Sequence, residues 1–193
     1  VRRGELRVVY KPQYIDRIPQ FMKDNVGEIL GRVDERGKMG DVVELFELGE
    51  LLDRPANVLS GGECQRLAIA TAICRDTDIY IFDEPSSHLD VKQRMNAARA
   101  IRSLVEEGKT VLVAEHDIAM LDYLSDQVCV IYGEPWVYGI ISNPHVVRTG
   151  INLYLGGYLP DDNVRFREQP VKFHVKPPSS GWQPTEVLFE WLK

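Results

Sequence analysis

No apolar run approaches the ~20 residues that a membrane-crossing helix needs, and no secretory signal opens the chain. These residues are therefore not expected to cross a bilayer as a helix. Cysteine is scarce. Cys64, Cys74 and Cys129 are scattered and lack metal-ligand spacing, which argues against a zinc site or a disulfide scaffold. Buried, reduced thiols in a cytoplasmic protein are the expectation. Basic charge is not in excess. The net charge of −6 argues against a surface that grips nucleic acid all round, while leaving room for a local basic patch. No internal repeat is visible, and the first residue is not Met. VRRGELRVVY reads as a strand entered mid-protein, so a fragment of a longer chain is expected. What is present, 193 residues with 44% hydrophobic and 27% charged, suits one large domain or a domain with an appendage.

Residues 7–10 read as a short strand that KPQ interrupts. Phe21, Met22, Val26, Ile29 and Leu30 fall at helical spacing over 19–31. Val42, Val43, Leu45, Phe46 and Leu48 form a second helix, closed near Gly49 or by DRP at 53–55. Another helix follows Ser60 as an amphipathic run to about Arg75. The pattern then changes. IYIF (79–82), TVLVA (110–114) and VCVIY (128–132) are buried-strand types, separated by helices at about 90–107 and 118–124. This alternation predicts a mostly parallel α/β sheet covered on both faces. Ligands of such sheets bind beyond the carboxyl ends of the strands. From Gly133 the alternation stops in favour of Gly, Pro and aromatics. VKFHV (171–175) offers one more strand, KPPSSGWQP (176–184) a linker, and TEVLFEWLK the start of a helix.

Three places carry chemistry. In VLSGGECQR, Ser60 and Glu63 have capping-box spacing, and Gly61-Gly62 allow close approach of a backbone. A helix N-terminus of this kind suits an anion. Asp83 and Glu84 sit just past a buried strand. One carboxylate there can hold Mg2+ through water, and its neighbour can orient or deprotonate an attacking water. Taken alone, the pair also reads as a solvated acidic turn. Behind the next strand comes Glu115-His116-Asp117. A His in that place is either a structural residue or a donor that senses a terminal phosphate. Gln13 follows Pro12 at a strand end, where it is either an ordinary loop residue or one that coordinates Mg2+ or orients water.

Taken in order, these pieces resemble the ATP-binding-cassette ATPases from the Q-loop onward. Gln13 matches the Q-loop, and Leu59 to Gln65 match the signature. Ile79 to Glu84 match Walker B with its catalytic Glu, Ser86 to Asp90 the D-loop, and His116 the switch His. The resemblance implies an ABC-type nucleotide-binding domain with a helical signature subdomain. It implies a signature that caps the γ-phosphate of ATP held by a partner cassette. Ser60, Gly61, Gly62, Glu63, Gln65 and Asp90 are then the nucleotide-side residues, and Asp90 links the two sites. Asp83 and Gln13 serve Mg2+, while Glu84, His116 and Gln13 serve hydrolysis. No G-x-x-x-x-G-K-[ST] phosphate cradle occurs in the chain. In the family it lies upstream of the Q-loop, so a fragment truncated at its N-terminus, inactive by itself, is expected.

KPQYID, EPSSHLDVKQR, AEHDIAMLDYLSD and the segment YGEPWVYGIISNPHVVRTGINLYLGGYLPDDNVRFR resemble the RNase L inhibitor family of ribosome-recycling ATPases. That resemblance divides the chain into a cassette lacking its Walker A part (1–132), a hinge (133–170) and the start of a second cassette or linker (171–193). It implies a cytoplasmic twin-cassette ATPase that splits ribosomes, using ATP and Mg2+. The implied partners are a second nucleotide-binding domain of the same polypeptide, ribosomal subunits, ribosomal RNA and a release factor. Iron–sulfur clusters are expected only in an N-terminal domain outside these residues. Arg148, Arg165 and Arg167 are candidate RNA or interdomain contacts, or else solvated or intramolecular arginines. His88 stands in the D-loop where an aromatic such as Tyr is expected. A transporter ATPase subunit and a non-hydrolysing binding module are the rival readings.

Overall fold

Alternating apolar residues in three short segments build the sheet that carries the site. The computed structural model describes residues 6–15, 23–134 and 136–171, which fall into two compact units. One runs through Val128 and takes in Val146–Arg148; the other holds Cys129–His145 and the chain from Thr149.

In the first unit β1 (Val8–Lys11), β2 (Ile79–Asp83) and β3 (Thr110–Ala114) pair in parallel in the order β1-β2-β3. Register places Val9, Tyr80 and Val111 in one row and Lys11, Phe82 and Val113 in the next. Those rows face the helices, and Tyr80 and Phe82 are fully buried. The opposite rows leave Val8, Tyr10 and Leu112 exposed. Among the described residues helices cover one face of this sheet, where both faces were expected to be covered. Both crossovers, β1 to β2 and β2 to β3, pass over the same face, as right-handed connections between neighbours taken in sequence must.

The helices are α1 (Val26–Val33), α2 (Met39–Leu45), α3 (Gly61–Cys74), α4 (Val91–Glu106) and α5 (Ile118–Leu124). The expected positions Phe21 and Met22 lie outside the described residues, as do 172–193 with most of the strand, the linker and the helix expected there. Helix α3 differs from its amphipathic reading. Cys64, Gln65, Leu67, Ala68, Ile69, Ala70, Ala72, Ile73 and Cys74 are all buried, because α3 packs against α1, α2, α4 and β1 at once. Asp90 caps α4 by accepting from the Gln93 N–H at 2.8 Å, and Asp117 caps α5 by accepting from Ala119 N–H at 2.9 Å. Burial pushes the Cys74 thiol up to about 12, which keeps it protonated. Cys129, expected to be buried, is exposed.

In the second unit the strand expected at 128–132 does not extend the parallel sheet. Ile131–Glu134 (β4) instead folds back antiparallel on Tyr138–Ile141 (β5). Gly133 makes this possible, since its φ is +150° and a Cβ there would lie 2.2 Å from the Tyr138 carbonyl oxygen. The stretch beyond Gly133, where the strand–helix alternation was expected to stop, contains a helix, α6 (Val147–Gly156), followed by a pair formed by Tyr158–Leu159 (β6) and Val164–Arg165 (β7). A small core of Val130, Tyr132 and Leu159 closes on Phe166, whose ring stacks on Tyr132 with centroids 6.0 Å apart. Two of the three arginines singled out from the sequence lie over aromatic rings of their own unit. Arg165 sits 5.4 Å over Tyr158 and Arg167 sits 5.0 Å over Tyr154, whereas Arg148 is exposed.

Candidate ATP-hydrolysis site

The carboxyl ends of β2 and β3 bring Asp83, Glu84 and His116 together. Register sets Asp83 opposite Ala114, and the Glu84 N–H donates to the Ala114 carbonyl at 2.8 Å. The chain turns sharply there: Glu84 has φ +45°, a left-handed conformation rare for a residue with a Cβ. The turn aims its carboxylate at three groups. Ser87 Oγ donates to Glu84 Oε2 at 3.0 Å, His116 Nδ1 lies 3.6 Å from Oε1, and the Gln13 side chain hydrogen-bonds the same carboxylate. Burial pushes the Glu84 carboxyl up. The hydrogen bonds from Gln13 and Ser87, with the charges of His116 and Lys11, outweigh it and hold the group below its ordinary value. Glu84 is therefore ionised at neutral pH. His116 keeps 70% of its side chain in solvent.

Asp83 accepts from Tyr10 Oη at 2.9 Å. Among the described residues no group of three His, Cys, Asp or Glu is placed to cage a metal. So sparse a donor set fits Mg2+, which keeps waters and takes its remaining ligands from substrate phosphates. Asp83 and Gln13 are the residues that would hold it.

The second set of expected residues lies at the start of α3. Glu63 Oε2 accepts from both the Ser60 N–H and Oγ at 2.7 Å, while Ser60 Oγ faces the Glu63 N–H at 3.4 Å. These bonds hold the Glu63 carboxyl below its ordinary value against the opposing effect of burial. A cavity of about 220 Å³ opens here, with Ser60, Gly62, Glu63, His88 and Asp90 among its walls. A Cβ on Gly62 would lie 2.9 Å from the His88 carbonyl oxygen, and one on Gly61 3.4 Å from His88 Nδ1. The two glycines thus let the D-loop residue lie directly on the helix start.

Gln65 does not join that set. It was expected at the nucleotide, but its side chain is fully buried and its Nε2 donates to the carbonyls of Glu84 and Pro85 at 2.9 and 3.0 Å. Sequence reasoning also passed over Lys11. Its Nζ is buried beneath the acidic turn and donates to the carbonyls of Asp83 at 2.8 Å and Glu84 at 3.3 Å. Burial pushes the Lys11 ammonium down to about 8, against the pull of Asp83, Glu115 and Glu84. Glu115, its side chain without exposure, accepts from the Ser86 N–H at 3.1 Å. The available signal was a lysine on the inward parity of V-V-Y-K, where an apolar residue is the rule.

A capped, glycine-lined helix start, an Asp at the end of a parallel strand and an ionised Glu bonded to Gln13 and Ser87 are the arrangement expected of an ATP-binding cassette. A family model described as ABC transporter matches residues 2–87, and the chain belongs to the ATP-binding-cassette family. Within it the kinship is with the RNase L inhibitor branch. The chain is 48% identical over 170 residues to ABC transporter E family member 1 of Arabidopsis thaliana, covering 88% of this chain and 28% of that protein. It is 48% identical over 174 residues to translation initiation factor RLI1 of Chaetomium thermophilum, covering 89% and 28%. Among solved structures, a complex of an archaeal ribosomal stalk protein with the archaeal ribosome recycling factor aABCE1 matches with TM-score 0.86 and 56% identity. That match covers 94% of this chain and 34% of the other. The chain thus spans under a third of the length of these two curated relatives.

Proposed function

We propose that these residues form part of a twin-cassette ATPase that splits ribosomes into subunits in the cytoplasm. The observation that carries the reading is the convergence of Gln13, Ser87 and His116 on the Glu84 carboxylate. An ionised carboxylate at the end of a parallel strand is placed to accept a hydrogen bond from a water and polarise it toward the γ-phosphate. Its low pKa makes it a weak proton acceptor, so orientation is its main contribution. Asp83 and Gln13 would hold Mg2+, which when bound would supply charge neutralisation on the phosphates. His116 donates toward the terminal phosphate. The α3 start, which Ser60 and Glu63 cap, would offer the N–H donors of Gly61 and Gly62 to the ATP of a second nucleotide-binding domain, and Asp90 would link the two sites.

The kinship with a ribosome recycling factor supports ribosomal subunits, ribosomal RNA and a release factor as partners. In this reading iron–sulfur clusters belong to a domain outside these residues. The 193 residues contain no Gly-rich cradle with its Lys, so we infer that turnover needs the longer protein to supply one. The test is subunit splitting by the full-length protein with ATP, followed by light scattering. Glu84→Gln is expected to cut hydrolysis about 10²–10⁴-fold and to trap ATP on the closed protein. Unchanged hydrolysis in that variant removes Glu84 from its role, and absence of splitting by the wild type removes the ribosomal reading.

A further inference from the structure

The signature helix and the catalytic turn meet at one peptide group. Gln65 is fully buried, with its Nε2 between the carbonyl oxygens of Glu84 and Pro85 at 2.9 and 3.0 Å. Two acceptors facing the amide demand its NH2 on that side. Its Oε1 is then left buried with no hydrogen-bond partner among the described residues. An orphaned acceptor costs about 1–3 kcal/mol, and a methionine would fill a similar volume without one. Core packing alone therefore does not account for an amide at this place; its donor does.

From the other side Lys11, 2% exposed, reaches the Asp83 and Glu84 carbonyls at 2.8 and 3.3 Å. The Glu84 carbonyl also faces the Ser87 N–H at 3.3 Å, while the Glu84 N–H is bound to Ala114. The backbone between these bonds is the strained one, with φ +45°. That region costs a non-glycine residue roughly 1–2 kcal/mol and persists where the surroundings over-determine it. If the φ of Glu84 relaxes to a negative value, its side chain swings away from Gln13 and His116.

We infer that Gln65 and Lys11 are positioning residues for hydrolysis: together they clamp the Glu84 peptide so that its carboxylate faces the attacking water. The inference rests on the ATPase reading of Glu84 given above. The test uses the full-length protein and measures kcat and KM for ATP in wild type, Gln65→Met, Lys11→Met and Glu84→Gln, and in each clamp variant combined with Glu84→Gln. Circular dichroism identifies the folded variants, and Lys11→Met carries the test if Gln65→Met does not fold. The expected result is a kcat about 10²-fold lower in each clamp variant, the size of loss that a misplacement of about 1 Å produces, with KM within about twofold. In the Glu84→Gln background the same substitutions are expected to change the residual rate less than about twofold, because they act through the missing carboxylate. A folded clamp variant with wild-type kcat overturns the inference for that residue. A full 10²-fold loss repeated in the Glu84→Gln background overturns the route through Glu84. A wild-type protein without ATP turnover, or a Glu84→Gln variant with full turnover, overturns the functional reading itself and the inference with it.

Discussion

Lys11 puts an ammonium under the Asp83-Glu84 turn, and removing its charge has a calculable consequence. In the folded chain its pKa falls from 10.5 to about 8 because burial penalises the charged form more than Asp83, Glu115 and Glu84 favour it. The folded state therefore releases this proton at lower pH than the unfolded state. Below pH 8 both states hold the proton, and folding carries the full cost of burying the charge. Between about pH 8 and 10.5 the unfolded chain binds more protons than the folded one, so this residue's contribution to stability rises with pH. Each pH unit of separation corresponds to about 1.4 kcal/mol, which puts the whole effect at about 3 kcal/mol. The assay is a pair of urea titrations of wild type and Lys11→Met at intervals from pH 7 to 10.5. The quantity read is the difference between the two, since the other titrating groups are common to both. A difference that moves in favour of the wild type as pH rises is expected, with the lysine 13Cε resonance of Lys11 titrating near 8. A difference flat with pH, or a resonance titrating above 10, refutes the reasoning, because it means that water reaches Nζ in the folded chain.

Two further predictions concern the start of α3. Gly62→Ala places a methyl 2.9 Å from the His88 carbonyl oxygen, a backbone atom, so His88 and the D-loop must shift. A loss of about 1–3 kcal/mol in unfolding free energy is expected; an unchanged urea midpoint would show that the D-loop does not lie on the helix as described. Ser60→Ala removes the oxygen paired with Glu63, and a loss of about 1 kcal/mol is expected for the missing cap. On the twin-cassette function proposed above, the same variant in the full-length protein is expected to weaken ATP-dependent closure, measured as small-angle scattering with and without ATP, and closure equal to wild type would remove Ser60 from that role.

Much of the cassette was legible in the chain itself because its signals are local. A capping box is four consecutive residues, so Ser60 and Glu63 announce the start of α3 wherever that helix packs. Strand β2 and the pair Asp83-Glu84 follow from an apolar run that stops at a carboxylate. The end of α4 at Glu106 is marked by Gly108, whose φ is +80°. The order of Gln13, the signature, Asp83-Glu84 and His116 then pointed to ATP chemistry before any distance was known.

Tertiary structure decided what depends on partners far along the chain. The run at 128–132 has a strand's composition, but its end, Ile131-Tyr132, becomes part of a hairpin arm by pairing with Tyr138–Ile141 rather than a member of the parallel sheet. Leu112 reads as core, yet among the described residues it is exposed, because both crossovers lie over the other face of the sheet. Gln65 reads as the last residue of a nucleotide-binding motif. Its bonds run inward to Glu84 and Pro85, 19 and 20 positions away. Lys11 shows the same limit from the other side. A lysine in sequence is assigned to solvent by its charge, and here the carbonyls of Asp83 and Glu84, 72 and 73 positions away, hold it in the core. The types of residue and their short-range order determined the chemistry, while the long-range contacts determined which side chains touch it.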